Sequence, residues 1–218
     1  LNLSPDHLDR HGDMTGYDAP KRAIFARPPP SAQALIGLED DAARAMAEWL
    51  RGQPAKLVTV SGRGPADVWA DGTLLRDQGG LLVDLAACPA LPGAHNAQDA
   101  AAAAAMALHL GASRAAIAAG MASYPGLPHR QERVGEADGV LFINDSKATN
   151  ADSTACALRC YDRLIWIAGG TAKEGGIEPL VEYFPRVAEA LLIGRDAPML
   201  AATLAAPGVP PRILGTLE

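Results

Sequence analysis

The sequence predicts an α/β protein in two parts, and three observations carry that prediction. Short apolar segments alternate with amphipathic or alanine-rich stretches along the chain, a pattern typical of strands followed by helices. Residues 144–150 are small, polar or charged, and they lie between the apolar segment 140–143 and a helical pattern that starts at 151. Residues 124–128 contain two prolines and a glycine, so this segment is the predicted linker.

The first part is predicted to contain short strands and four helices. Residues 1–3 are interpreted as the end of a strand, and the first helix, 17–25, ends before the prolines at 28–30. Asp71-Gly72 is a hairpin-turn signal, so the short strands around it should be antiparallel. Residues 97–110 are alanine-rich and favour a helix, and Ser113 should cap the next one. The other predicted elements are strands 33–38, 57–61, 67–70, 74–76 and 80–85 and helices 41–50 and 113–121.

The second part is predicted to be a parallel sheet wrapped by helices, because strand and helix patterns alternate. Loops at the carboxyl ends of such strands line the ligand crevice of open α/β sheets, so the loop 144–150 is a candidate site. The alternative is that this loop has only a structural role, with Thr149 or Asn150 as the helix cap. The predicted elements are strands 133–135, 140–143, 164–168 and 190–193 and helices 151–159, 177–184 and 197–204.

Composition excludes several function classes. Hydrophobic residues make up 49% of the chain, enough for a packed core, while the net charge is −6 and no basic stripe is present. Binding to nucleic acid or to an anionic membrane is therefore not expected. The cysteines, Cys88, Cys156 and Cys160, form no CxxC motif, so neither a disulfide framework nor a zinc site is predicted and a reducing cytoplasm fits best.

Four polar blocks follow one another in a fixed order: Ser-Pro-Asp-His-Leu-Asp-Arg-His-Gly at 4–12, Tyr-Asp-Ala-Pro-Lys at 17–21, Gly-Leu-Pro-His-Arg at 126–130 and Asn-Asp-Ser-Lys-Ala-Thr-Asn at 144–150. In this order they resemble the Mur ligases of peptidoglycan synthesis, and the last two blocks are similar to the D-glutamate-adding branch. The resemblance covers nearly the whole chain.

The resemblance implies a domain organisation. Residues 1–127 would be the latter part of a P-loop-type central ATPase domain, and residues 128–218 the first part of a Rossmann-like carboxy-terminal domain. The phosphate loop of the family ends in Gly-Lys-Ser or Gly-Lys-Thr, and neither tripeptide occurs in this sequence. We therefore expect the chain to be part of a longer enzyme and to be inactive alone.

The activity implied by the resemblance is ATP-dependent amide bond formation with Mg²⁺. D-glutamate would be joined to UDP-N-acetylmuramoyl-L-alanine by way of an acyl phosphate, in a cytoplasmic monomer. On this resemblance His7 and Lys21 are the catalytic and metal-binding residues, with Lys21 carbamylated to an anion. Pro20 precedes that lysine, and proline suits only the first turn of a helix, so Lys21 is expected near a helix start.

The same resemblance assigns nucleotide and substrate residues. Asn96, Asp99, Arg130 and Asp145 would contact ATP, with Asp99 standing where the family has asparagine. An ion pair of Arg130 with Glu132 or Glu136 is an equal alternative. The predicted substrate-binding residues are His129, Lys147, Thr149 and Lys173.

Two other function classes stay open from the residues alone. Carboxylates and imidazoles bind divalent ions, so a metal-dependent hydrolase could use Asp6, His7, Asp9 and His11. A non-catalytic nucleotide-binding module would need only helix starts and the glycine-rich segment 169–176, which follows a strand but is not GxGxxG.

Overall fold

In the computed structural model, which describes residues 1–3, 10, 12–29, 31–171 and 176–215, the chain divides into two compact units. Unit 1 is Leu1–Pro125 and unit 2 is Gly126–Glu218. The division falls inside the proline- and glycine-containing segment 124–128. Unit 1 has one sheet and two hydrophobic core clusters, whereas unit 2 has two sheets and one such cluster.

Unit 1 contains a mixed five-stranded sheet, and its strands are β1 (Gln33–Gly37), β2 (Lys56–Ser61), β3 (Val68–Asp71), β4 (Leu74–Asp77) and β5 (Gly80–Asp84). Strands β1, β2 and β3 are parallel, while β3, β4 and β5 are antiparallel neighbours. The antiparallel strands predicted around Asp71-Gly72 are thus confirmed. Residues 1–3 are not a strand; Leu3 is buried, and its N–H donates to the Asp40 carboxylate over 2.9 Å.

Four helices of unit 1 are α1 (Met14–Arg22), α2 (Asp41–Leu50), α3 (Gly93–His109) and α4 (Arg114–Ala122). Alternate residues of β1 point to opposite faces of the sheet: Ala34 and Ile36 join the core with α2, whereas Leu35 packs with α3. The alanines of α3 let that helix approach the sheet closely, since Ala101 and Ala104 are fully buried. Both faces of the sheet are therefore covered.

Helix α1 corrects the expectation for Lys21. Its side-chain cap is Asp13, whose Oδ1 accepts from Gly16 N over 2.8 Å. This cap sets the helix start well before Tyr17, so Pro20 lies inside the helix and Lys21 in its last turn. The missing N–H of the proline costs one helical hydrogen bond, and a 3₁₀ segment, Ala23–Phe25, follows Arg22 directly.

Unit 2 contains a two-stranded and a three-stranded sheet. Strands β6 (Glu132–Ala137) and β7 (Val140–Asn144) form an antiparallel hairpin. The strands of the parallel sheet, in the order β10-β9-β8, are β8 (Leu164–Gly169), β9 (Val187–Ile193) and β10 (Pro211–Gly215). The prediction of one parallel sheet is therefore wrong for residues 132–144.

Unit 2 has two described α-helices, α5 (Ala151–Leu158) and α6 (Ala197–Ala205). Both pack with the three-stranded sheet in one hydrophobic core, and this core includes Leu180, Phe184 and Leu192. The helix predicted at 177–184 is instead a 3₁₀ helix, Glu178–Arg186, which contains Pro179 and Pro185. Proline supplies no backbone donor, which disfavours a regular α-helix here. Among the described residues, no helix is long and apolar enough to cross a membrane.

Candidate functional site

A tight turn before β6 carries two of the predicted site residues. The Arg130 N–H donates to the carbonyl of Leu127 over 3.2 Å, which closes the turn. His129 and Gln131 have φ of 63° and 43°, a left-handed conformation that costs a side-chain-bearing residue on the order of 1 kcal/mol or more. Arg130 lies between these two strained residues and is exposed.

This turn is bound to the loop that follows β7. The Glu132 carboxylate accepts from His129 N over 2.8 Å and from Asn144 Nδ2 over 3.3 Å. Asn144 Nδ2 also lies 2.9 Å from His129 Nδ1, and Gln131 N donates to Asp145 Oδ1 over 3.0 Å. We call these five residues the clasp. It brings the two sequence blocks 126–132 and 144–150 together.

Both carboxylates considered as partners of Arg130 are bonded to other groups. Glu132 is occupied by the turn and by Asn144, and Glu136 is 2.6 Å from Arg133. Within the described residues the Arg130 guanidinium makes no hydrogen bond or ion pair, so the structural pair considered from the sequence does not form. An exposed guanidinium with free donors can bind phosphate or carboxylate in a bidentate manner.

Asp145 is half-buried beside the turn. Burial raises the pKa of its carboxyl group, and the Gln131 N–H and the charge of Arg130 oppose that rise only in part. Asn144, the first residue of the candidate loop 144–150, bonds within the clasp, and its Oδ1 accepts from Ser146 N over 3.2 Å. Asp145 is therefore the better candidate to meet a ligand.

The raised pKa of Asp145 predicts how the stability of unit 2 depends on pH. The carboxyl group of Asp145 stays protonated to a higher pH in the folded chain than in the unfolded chain. The contribution of this protonation to the free energy of unfolding is therefore complete below the ordinary aspartate pKa. It is lost as pH rises through the folded value. Asp145→Asn should flatten that decline, because asparagine still accepts from Gln131 N without carrying a charge.

Urea unfolding of this chain between about pH 4 and pH 8 would measure the effect. Asp138→Asn is the matched control, since Asp138 is an exposed residue of the same unit with φ of 50°, a conformation that asparagine tolerates. An Asp145→Asn profile parallel to that of the unaltered chain would contradict the prediction.

Lys147 and Thr149 follow Asp145 on the same loop. The Lys147 N–H donates to the His129 carbonyl over 3.0 Å, and both side chains are exposed. Asn150, not Thr149, caps α5, since its Oδ1 accepts from Ser153 N over 2.8 Å and the Ser153 hydroxyl accepts from Asn150 N. Part of the donor capacity at this helix start is thus already used.

Lys21 lies half-buried in unit 1, in the last turn of α1. Its Nζ is 4.5 Å from the centroid of the Tyr17 ring, a cation–π distance. Arg22, the next residue, is held by Asp18 and by the Trp49 ring at 4.9 Å. Arg22 therefore has both a carboxylate and an aromatic ring as partners, whereas the recorded partner of Lys21 is an aromatic ring.

Asn96 and Asp99 lie one turn apart near the start of α3. The Asn96 side chain donates to the Pro92 carbonyl over 2.7 Å and is half-buried, whereas Asp99 is exposed. Between them Gln98 is 2% exposed, exchanges two hydrogen bonds with Asn2, at 2.9 and 3.0 Å, and donates to Glu39. This buried amide fixes the first turns of α3 against the N-terminal segment.

Sequence reasoning missed Gln98, although a lone glutamine inside an alanine-rich helix is a detectable signal. The predicted residues His7 and Lys173 lie outside the described residues, as do Asp6, Asp9 and His11 of the hydrolase alternative. In the part of the chain that is described, no group of three or more metal-binding side chains occurs.

A cavity of about 310 Å³ lies elsewhere in unit 1, between the start of β3 and the end of α3. Its lining includes Asp67, Asp77 and His109 but none of the predicted site residues. Both carboxylates are already bonded, Asp67 to Thr59 and Asp77 to Arg114.

Known proteins resemble this chain both in sequence and in fold. A family model described as the Mur ligase middle domain matches residues 1–107. The chain is 49% identical over 224 aligned residues to the UDP-N-acetylmuramoylalanine–D-glutamate ligase of Rhizobium johnstonii, covering all of this chain and 47% of that protein. The protein of the same name from Rhodospirillum rubrum is also 49% identical, with the same coverage. The chain thus spans about half the length of these relatives.

Solved structures show the same fold at low sequence identity. MurF from Acinetobacter baumannii superposes with a TM-score of 0.73 at 20% identity, covering 99% of this chain and 49% of that one. MurC from Thermotoga maritima gives 0.71 at 16% identity, covering 97% of this chain and 49% of that one. FolC from Escherichia coli, in complex with ADP, gives 0.65 at 20% identity, covering 98% of this chain and 52% of that one.

Proposed function

Because this chain belongs to the Mur ligase family, we propose that it is the part of a longer enzyme that joins D-glutamate to UDP-N-acetylmuramoyl-L-alanine with ATP. The name shared by the relatives at 46–49% identity supports this reaction. The observation that carries the proposal is the clasp, because it holds an exposed, unpaired Arg130 beside Asp145.

The reaction needs activation because a carboxylate is a poor electrophile. The γ-phosphoryl group of ATP would pass to the alanyl carboxylate and form an acyl phosphate with loss of ADP. The uncharged amine of D-glutamate would then attack the acyl carbon, and the tetrahedral intermediate would expel phosphate. Negative charge gathers on oxygen in both steps, so fixed cations and hydrogen-bond donors would stabilise the transition states.

Arg130 and Asp145 suit the two ends of a nucleotide. A guanidinium fits phosphate oxygens, whereas a carboxylate accepts hydrogen bonds from ribose hydroxyls. Asn96 and Asp99 on α3 would serve the adenine, with Asp99 limited to accepting because it has no amide donor. Of these four residues, Arg130 and Asp145 belong to unit 2, and Asn96 and Asp99 belong to unit 1.

For D-glutamate we propose Lys147, Thr149, His129 and Lys173. Two carboxylates must be held, and the exposed Lys147 and Thr149 side chains offer a cation and a hydroxyl on one loop. The carbonyl of His129 accepts from Lys147 N and so holds the loop at Lys147. Lys173 enters from the sequence alone, as it lies outside the described residues.

The described residues do not by themselves fit Mg²⁺. An ammonium group at Lys21, over the Tyr17 ring, cannot bind a cation. Carbamylation would convert Lys21 into an oxygen ligand, which together with His7 would hold Mg²⁺ and neutralise phosphate charge. We also propose a cytoplasmic monomer, consistent with three cysteines that form no disulfide.

The full-length protein tests this function directly. Incubation with ATP, magnesium, UDP-N-acetylmuramoyl-L-alanine and D-glutamate should release one phosphate for each ligated product found by mass spectrometry. L-glutamate in place of D-glutamate is the control. Phosphate release without ligated product, or equal use of both glutamate enantiomers, would contradict the proposed function. Neither the hydrolase nor the binding-module alternative has support among the relatives.

A further inference from the structure

The Glu132 side chain joins the two segments of the clasp. Its carboxylate accepts from the backbone of His129 and from the side chain of Asn144, and it lies 4.0 Å from His129 Nδ1. One residue thus links the turn before β6 with the last residue of β7. Glu132 is only half-buried, so these contacts, and not burial in an apolar core, account for its place.

The turn needs such a link because its conformation is unfavourable in isolation. His129 and Gln131 both have positive φ, and side-chain-bearing residues hold that conformation only when their surroundings compensate for the strain. Glu132 accepts from the N–H of His129, and Asp145 accepts from the N–H of Gln131. Each strained residue is therefore held by one carboxylate.

Arg130 is the residue between these two attachments. Within the described residues the Arg130 side chain makes no hydrogen bond or ion pair. The backbone of the turn therefore sets the direction in which this side chain points. Relaxation of His129 to an ordinary backbone conformation would reorient the next peptide and move the guanidinium relative to Asp145. A displacement of about 1 Å in a positioning group is enough to impair a reaction strongly.

We propose that Glu132 is a positioning residue that holds Arg130, and through Asn144 the Asp145 loop, in the orientation needed for the nucleotide. The inference rests on the proposed function, because it takes Arg130 and Asp145 as the residues that meet ATP. Glu132 itself touches neither nucleotide nor amino acid. Its effect should therefore appear in the use of ATP and should depend on Arg130.

The test is steady-state kinetics of the full-length enzyme with Glu132→Ala and Glu132→Gln. Alanine removes the acceptor for both His129 and Asn144, and we expect the KM for ATP to rise about tenfold or more, as for a lost charge-assisted hydrogen bond. Glutamine keeps an oxygen that can accept from the His129 N–H, so the rise should fall to about threefold. The KM for D-glutamate should change less than that for ATP in both variants.

Glu136→Ala is the matched control. Glu136 lies on the same strand, carries the same charge and pairs with the exposed Arg133, yet it makes no contact with the clasp that the structure records. Its KM for ATP should match that of the unaltered enzyme. Thermal unfolding of each variant would show whether any kinetic change follows from loss of the fold.

A double-mutant cycle with Arg130→Ala separates positioning from a merely structural role. If Glu132 acts through Arg130, Glu132→Ala should add less than about twofold to the KM for ATP once Arg130 is gone. Independent, multiplying effects, or equal losses with alanine and glutamine, would overturn the inference. An Arg130→Ala enzyme with a normal KM for ATP would instead overturn the assignment of the nucleotide site.

Discussion

Replacing Lys21 with alanine in the full-length enzyme is expected to abolish turnover while the fold survives. Lys21 is half-buried in the last turn of α1, and its Nζ rests on the Tyr17 ring without an anionic partner among the described residues. Carbamylation of its neutral amine by carbon dioxide is the modification that the proposed function assigns to Lys21. The carbamate would supply an anion that alanine cannot replace.

Three variants and a rescue experiment check this prediction. Lys21→Arg should be as inactive as Lys21→Ala, because a guanidinium cannot form the carbamate. Short carboxylic acids added to Lys21→Ala should restore part of the activity by taking the place of the carbamate. Lys56→Ala, at an exposed lysine of the same unit, is the control and should keep the normal rate. A Lys21→Arg enzyme with normal turnover would refute the carbamate.

The second large effect is expected for Arg130→Ala, which should raise the KM for ATP with little change in the KM for D-glutamate. Truncation of one partner in a desolvated charge pair costs roughly 2–4 kcal/mol, or about 30-fold to 1,000-fold in binding. Arg130→Lys should recover only part of this, because an ammonium cannot bind phosphate in a bidentate manner.

Arg133→Ala is the control for this variant. Arg133 is three residues away, and its ion pair with Glu136 is exposed on both sides, so its loss should cost no more than about 1 kcal/mol of stability and leave kinetics unchanged. Initial rates with each substrate varied in turn would separate the two variants. Equal weakening toward ATP and D-glutamate would place Arg130 outside the nucleotide site.

Local signals account for the elements that were predicted correctly. Helix α2 was predicted with its observed bounds, and in the structure Asp40 caps it while apolar residues recur at helical spacing. The Ser113 cap of α4 was also correct, since its hydroxyl accepts from Ala116 N over 3.2 Å. Caps act within one turn of the chain, so sequence alone suffices to find them.

The hairpin of β6 and β7 was missed although a signal was present. Asp138-Gly139 separates the two strands, with φ of 50° and 76°, the turn geometry that aspartate-glycine pairs favour in two-residue hairpins. Strand β10 was not predicted, and Pro210 and Pro211 disfavour a strand there. It is tolerated because Pro211 is the first residue of a strand at the edge of the sheet.

By itself, the sequence determined the fold class and the family, since these depend on periodicity and on motifs that can be read along the chain. Only the tertiary structure decided which of the candidate site residues have partners. Whether Arg130 pairs with Glu132 and whether Asn144 is free both depend on contacts between segments. Such contacts are set by backbone geometry at the strained turn, and spacing along the sequence does not encode them.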